Sequence, residues 1–177
     1  MQRWGYGNYL GIDISPSTVE FCMQLGLNCV QVADTAEWLD QNRERYAVIT
    51  LLDVLEHIPK TTVLEILKCV REALLPGGVA LIQVPNLQAP DGQLHRYNDF
   101  THETGFVENS LRHVLVTAGF TDLHFHGFEV ILSGGIKPRV RRILRSLYWA
   151  HVRFVRKVNC NLNPTILHPV FYGVARK

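Results

Sequence analysis

Short apolar runs alternate along this chain with segments whose apolar residues recur every three or four positions. Tyr9-Leu10-Gly11-Ile12-Asp13-Ile14-Ser15 has the length of a strand. Ser15 or Ser17, with Pro16 early in the first turn, then caps a helix whose apolar face is Val19, Phe21, Cys22, Met23 and Leu25 and whose stop is Gly26. Cys29 to Ala33 reads as a second strand closed by Asp34, and Thr35 to Arg45 as a helix carrying Trp38 and Leu39. Tyr46 to Leu52 is an unbroken apolar run, the pattern of a strand covered on both faces. After Asp53-Val54-Leu55-Glu56-His57-Ile58-Pro59, helical spacing returns from Thr61 to Leu75 through Val63, Leu64, Ile66, Leu67 and Val70. Pro76-Gly77-Gly78 stops that helix, and Val79 to Pro85 is another buried strand.

A polar segment from Asn86 to about Gly105 breaks the rhythm. It is rich in His, Arg, Tyr and Asp rather than Gly and Ser, which points to a binding loop. A helix from Val107 to Ala118, a strand from Thr121 to Ile131, a basic helix from Pro138 to Val158 and a strand from His168 to Ala175 complete the pattern. Strands alternating with helices across short turns imply an α/β fold with a parallel sheet and right-handed crossovers.

Composition narrows the class. The chain has 177 residues, nearly half of them apolar, enough for one domain with a sizeable core. Residues 1–177 are therefore read as one domain, with residues 137–158 as an inserted basic amphipathic helix. Cys22, Cys29, Cys69 and Cys160 form no C-x-x-C pair and suit a reducing compartment. With neither a leader-like apolar run nor a membrane-length one, a soluble cytoplasmic protein is expected. Charge is divided: all 16 acidic residues, with eight Lys or Arg, lie at or before Glu129, and ten Lys or Arg with no acid follow.

Asp13 gives the first chemical lead. An acid at the carboxyl end of an early strand in a nucleotide-binding α/β fold accepts hydrogen bonds from ribose hydroxyls, and a glycine-rich loop lies about 20 residues upstream. Only a dozen residues precede Asp13. Gly5 and Gly7 abut its strand directly and do not replace that loop, so the expectation is a cofactor-binding fold truncated at its N-terminus.

Further motifs specify the cofactor. Gly11-Ile12-Asp13-Ile14-Ser15, Asp34, Leu52-Asp53-Val54-Leu55-Glu56-His57-Ile58, Leu74-Leu75-Pro76-Gly77-Gly78 and Gly119-Phe120 together resemble class I S-adenosylmethionine-dependent methyltransferases, in particular those with a D-V-L-E-H-I run after the fourth strand. The resemblance spans most of residues 7–132. It implies a Rossmann-like, mostly parallel sheet with helices on both faces and an antiparallel C-terminal strand. It also implies S-adenosylmethionine as cofactor, with Asp13 and Ile14 at the ribose, Asp34 at the adenine amino group between Ala33 and Thr35, and Leu52 and Asp53 on the methionine side. The family's first strand and G-x-G-x-G loop have no match here, which removes most expected contacts to the methionine end.

Methyl transfer requires alignment of nucleophile, methyl and sulfur, with a base where the acceptor loses a proton. His57, just beyond a strand, and His102 in the polar segment are the candidate bases. For His57 the competing reading is local hydrogen bonding at a helix start; for His102 and Glu103 it is a structural loop clamp. Asn86, His95, Arg96, Tyr97, Asp99 and Glu103 are candidate acceptor-binding residues. His95, Asp99, His102 and Glu103 also suit divalent ions, but their spacing fits no metal pattern, and no metal site is assigned.

The basic helix places Val140, Ile143, Leu144, Leu147, Tyr148, His151, Phe154, Val155 and Val158 on one face among six arginines. Three readings stand: a helix packed on the domain with a solvated basic face, an interfacial helix on anionic lipid at the inner face of a membrane, or a phosphate-rich partner. Nucleic acid is the weakest version, for want of interleaved aromatics or a module signature. The expected function is S-adenosylmethionine-dependent methyl transfer to a saccharide, free or lipid-linked. The competing expectation is an inactive methyltransferase-like chain acting through a partner subunit, a homo-oligomer or membrane attachment.

Overall fold

The computed structural model describes residue 5, residues 7–129 and residues 135–177. Trp4 and Tyr6, and the expected strand positions Val130 and Ile131, lie outside the described residues. The elements are β1 (Gly11–Asp13), α1 (Pro16–Gln24), β2 (Cys29–Gln31), α2 (Thr35–Asp40), β3 (Tyr46–Leu52), a 3-10 turn (Leu55–His57), α3 (Val63–Ala73), β4 (Leu74–Pro85), α4 (Gly92–Tyr97), α5 (Glu108–Thr117), β5 (Thr121–Gly127), α6 (Ile136–Val158) and β6 (Val170–Arg176).

Among the described residues these strands form two sheets. β1 and β2 pair in parallel with each other, and a four-stranded sheet has the order β3-β4-β6-β5. β3 and β4 are parallel, while β6 runs antiparallel between β4 and β5. The small β1–β2 unit joins the larger one chiefly through α2 against α3, supported by Glu44 N and Arg45 N donating to the Glu72 and Ala73 carbonyls at 2.9 Å. Trp38 stacks on Tyr46 beside this junction, ring centroids 6.0 Å apart.

The core sits in the larger unit. Leu55, Leu67, Leu74, Ile82, Val84, Leu111, Leu115 and Phe171 are fully buried, supplied by α3 and α5 against β4 and β6. α3 shows how the pattern becomes structure: Val63, Leu67, Val70 and Ala73 fall on one stripe and are all buried.

Four local expectations are corrected. β3 is not covered on both faces: Val48 and Leu52 are more than half exposed, because β4 is the only strand paired with it among the described residues. Phe21, Met23 and Leu25 of α1 are likewise exposed, since this helix packs chiefly on its own short strands, with Val19 buried. Pro76-Gly77-Gly78 does not separate helix from strand. α3 ends at Ala73, and the three residues form a bulge inside β4, where the register jumps from Tyr46↔Leu74 to Val48↔Val79 and Gly77 takes φ +75°. The polar segment contains α4, drawn tight against the end of β4; a Cβ on Gly92 would stand 2.6 Å from the Asn86 carbonyl oxygen.

Candidate functional site

Carboxyl ends of parallel strands collect the acidic and imidazole side chains. Asp13 ends β1, and its Oδ1 accepts from Ser15 N at 2.8 Å, the turn that starts α1. Asp34, just after β2, is the N-cap of α2, with Oδ1 accepting from Glu37 N at 2.9 Å. Each carboxylate thus spends one oxygen on its own helix start and keeps Oδ2 for a hydroxyl or amino donor. Ile14 is 63% exposed beside Asp13, Ala33 is exposed and Thr35 half-buried beside Asp34. Leu52 is 52% exposed at the end of β3, so apolar cover is available next to both carboxylates.

Asp53 takes φ 54°, a left-handed conformation uncommon for a residue other than glycine. Gln83 holds it there: Asp53 N donates to the Gln83 carbonyl at 3.1 Å and Gln83 Nε2 donates to Asp53 Oδ2 at 2.9 Å. This bend turns the chain directly into the 3-10 turn bearing Leu55, Glu56 and His57. Leu55 anchors the turn in the core, Glu56 points inward with 2% exposure, and His57 faces outward.

The polar segment folds back onto that turn. Glu103 N and Thr104 N both donate to the Glu56 carbonyl, at 2.7 and 3.0 Å, and Thr104 Oγ1 donates to the Ile58 carbonyl at 3.2 Å. His102 is thereby brought against His57, with ring centroids 4.7 Å apart in an edge-on arrangement.

Hydrogen-bond accounting assigns the tautomers of both rings. Thr101 Oγ1 gives its proton to Asp99 Oδ1 at 2.7 Å, so it must accept at 2.9 Å from the Nδ1–H of His57. His102 Nδ1 lies 2.8 Å from the His95 carbonyl, which can only accept, so Nδ1 of His102 also carries its proton. In its neutral form each ring therefore carries its lone pair on Nε2. Asp99 is well suited to its end of the relay. The hydroxyl and then the amide of Thr101, followed by the neighbouring His102 and His57, hold its pKa below the usual carboxylate value.

Glu56 is the group that sequence reasoning missed. Among the described residues neither of its oxygens has a hydrogen-bond partner, and burial pushes its pKa up, with the Asp53 charge adding to the effect. Its own backbone amide, which lowers the pKa without reaching hydrogen-bond geometry, and then His57 and His102 work the other way. A pocket beside it is lined by Leu87, Arg96, His102, Thr104 and Phe106. The signal was the Glu-His dipeptide; its inward turn depends on Leu55 packing, which the motif does not display.

The remaining expected residues divide into two groups. Tyr97 is 80% exposed, and Leu94 and Phe100 stand out beside it, forming an apolar and aromatic rim next to Asp99 and His102. Arg96 and Asn86 are both engaged within the fold. Arg96 donates to the His102 carbonyl and, at 3.1 Å, to the Glu103 carbonyl, so it clamps the loop from within. Asn86 is 1% exposed and saturated: Nδ2 donates to the Ile166 and His168 carbonyls at 3.1 and 2.9 Å, and Oδ1 accepts from Gln88 N at 3.0 Å. A short polar residue after a strand looks equally suited to either role. His95 contributes its carbonyl to His102, and Glu103 its backbone amide to Glu56, with its side chain exposed.

The basic helix reverses an expectation. No residue of α6 is buried, and the side it turns to the body is a narrow stripe containing Arg145, Trp149, Val152, Arg153 and Arg156. Arg153 donates to the Thr165 carbonyl at 3.1 Å and Arg156 to the Gln88 carbonyl at 2.7 Å, while Arg145 pairs with Glu129. Trp149 meets His168 edge-on at 4.7 Å. The apolar stripe of Val140, Ile143, Leu147, Phe154 and Val158 points away, each residue 47–65% exposed. The reading in which apolar residues pack on the domain is thus overturned, because arginine hydrogen bonds occupy the inner face. Among the described residues, no helix is long and apolar enough to cross a membrane.

Comparison with known proteins supplies the wider context. A family model described as a methyltransferase domain matches residues 1–124. The structure is similar to that of a SAM-dependent methyltransferase from Archaeoglobus fulgidus, with a TM-score of 0.69 and 20% identity over 95% of this chain and 75% of the other. It is also similar to a SAM-dependent methyltransferase from Thermotoga maritima, with a TM-score of 0.66 and 14% identity over 95% and 72% of the two chains. A third similar structure is phosphoethanolamine N-methyltransferase 2 of Haemonchus contortus in complex with S-adenosyl-L-methionine, with a TM-score of 0.57 and 14% identity over 95% and 43%. No curated protein sequence matches the chain.

Proposed function

The chain belongs to the methyltransferase domain family, and from that premise we propose that it transfers the methyl group of S-adenosylmethionine to a hydroxyl of a saccharide carried on a lipid. One observation carries the reading: strand-end carboxylates at Asp13 and Asp34 share the molecule with an oriented imidazole pair, at His57 and His102, beyond the end of β3. Ligand crevices of open α/β sheets lie outside such strand ends.

The residues present fit the cofactor's nucleoside half. Asp13 Oδ2 is available to ribose hydroxyls and Asp34 Oδ2 to the adenine amino group, with Ile14, Ala33, Thr35 and Leu52 as flanking cover. Asp53, held at its positive φ by Gln83, shapes the methionine side. When bound, S-adenosylmethionine supplies an activated methyl on sulfur. The protein's own task is then to hold the acceptor and take its proton. His57 does so at Nε2, and the imidazolium formed is balanced through Thr101 by the Asp99 carboxylate. Tyr97 and Phe100 offer flat apolar faces and Asp99 an acceptor oxygen, the combination a sugar ring uses for stacking and hydrogen bonding. The outward apolar stripe of α6, flanked by arginines without a single acid, suits an anionic membrane surface and brings the chain to a lipid-linked acceptor.

The test is release of S-adenosylhomocysteine by the purified chain with polyprenyl-linked saccharide in anionic vesicles. His57→Ala should lower turnover by about 10²–10⁴-fold, the usual contribution of a general base. Asp13→Ala should weaken cofactor binding and leave vesicle binding unchanged. Absence of cofactor binding in calorimetry overturns the reading; equal turnover on saccharides free of lipid overturns the lipid-linked part alone.

A further inference from the structure

We propose that Glu56, His57 and His102 form a binding site for a divalent transition-metal ion of the Zn2+ or Co2+ type. One ligand atom from each of the three side chains lies within 4.8 Å of the others. Two residues adjacent in sequence and a third 45 positions away meet only because Glu103 and Thr104 bond back to the Glu56 carbonyl.

Geometry alone would leave this a cluster; the hydrogen-bond accounting makes it a site. Glu56 is 2% exposed, and among the described residues neither of its oxygens has a hydrogen-bond partner, a costly state for a charged carboxylate in a low-dielectric setting. Both neighbouring rings have committed their Nδ1 protons outward, to Thr101 and to the His95 carbonyl, which leaves Nε2 of each ring, when neutral, as an acceptor. With both rings neutral and the carboxylate ionised, three acceptor atoms face one another across this cluster. A cation resolves this, and a doubly charged one resolves it best.

The donor set selects the ion. Two neutral imidazoles and one carboxylate suit Zn2+, Co2+ or Fe2+ far better than Mg2+ or Ca2+, which prefer oxygen throughout. The outer arrangement is also that of metal-binding histidines, whose second ring nitrogen is held by a carbonyl or by a carboxylate relay. Here the His95 carbonyl serves His102, and Thr101 with Asp99 serves His57. Ligands at about 2.0–2.1 Å from a tetrahedral ion stand roughly 3.3 Å apart, so the three groups close slightly on loading. Exposed His57 and the long Glu56 side chain can make that movement. Three protein ligands leave one position of a tetrahedral ion open. Metal binding itself does not rest on the methyl-transfer reading.

The experiment uses the full chain, stripped with chelator and titrated with Zn2+ by calorimetry and with Co2+ by visible absorption. One saturable ion per chain is expected, with the intense visible bands of low-symmetry, four-coordinate Co2+. His57→Ala, His102→Ala and Glu56→Gln should each weaken binding at least about tenfold, and Thr101→Val by about 10- to 100-fold, the usual effect of removing an outer partner. His57 is exposed, so its variant tests the site even if Glu56→Gln fails to fold. The Cys160→Ser and His124→Ala controls, away from the cluster, should bind as the parent does. No saturable binding overturns the proposal, as does binding of parental strength in both His57→Ala and His102→Ala. Absence of methyl transfer by the parent chain, with metal binding intact, would count against the proposed function and leave this site standing.

Discussion

α3 and α6 share an apolar spacing of three and four residues, and yet they end in opposite surroundings. In α3 the stripe of Val63, Leu67 and Val70 lies against the sheet at no more than 3% exposure. In α6 Ile143, Leu144, Leu147, Phe154 and Val158 are 60–65% exposed, and arginines turn inward to the carbonyls of Gln88 and Thr165. Periodicity reports that a helix has two faces; it does not say which face the rest of the chain has room for. Long arginines can anchor a helix through hydrogen bonds and stacked stems, leaving apolar residues for another surface. The difference separates a helix that builds the core from one that offers a surface.

Truncations are the most forceful way to break this comparison. Leu67→Ala should cost about 2–5 kcal/mol in chemical denaturation, the range for a fully buried leucine, whereas Leu147→Ala should stay within about 0.5 kcal/mol. Equal losses would place α6 in the core and refute its outward stripe. A smaller effect concerns the surface that stripe recognises. Ile143→Glu combined with Leu147→Glu should lower affinity for phosphatidylserine vesicles about tenfold or more in co-sedimentation, as expected when buried apolar area is lost. The parent's binding should also fall as salt rises, through screening of the basic flanks. Salt-independent binding, or none at low salt, would remove the membrane reading.

The smallest expected effect lies at the helix anchor. Burial first, and then the charge of Arg145, hold the His168 pKa below its usual value, with Glu129 opposing. A depressed histidine pKa contributes stability above the ordinary value and loses it as pH falls through the folded one. Thermal melts of the parent should therefore weaken from neutral pH downward more steeply than those of His168→Gln. Identical slopes would mean that Trp149 and His168 do not couple α6 to the body.

Much of the framework was legible in the residues. Ser15-Pro16 and Asp34 marked two helix starts, and both side chains cap as their types suggest. The apolar runs at β3 and β4 marked strands whose parallel pairing followed from the helix between them. The exposure of β3 was not legible, because an apolar run declares only a preference for cover. In the polar segment, Asp99 and His102 could be singled out by type, but not separated from Arg96 and Asn86. The same side chains serve a clamp or a ligand, and their hydrogen bonds, which saturate the Asn86 amide nitrogen and tie Arg96 to two loop carbonyls, come only with the fold.

What the sequence by itself determined is local: caps, helix faces, strand lengths and the order of acids at strand ends, all set by interactions a few residues in range. Tertiary structure alone decided which way α6 faces, that Glu56 is buried without a partner, and that His57 meets His102 across 45 positions. Those outcomes depend on what occupies the far side of each group, and that is supplied by chain remote in sequence.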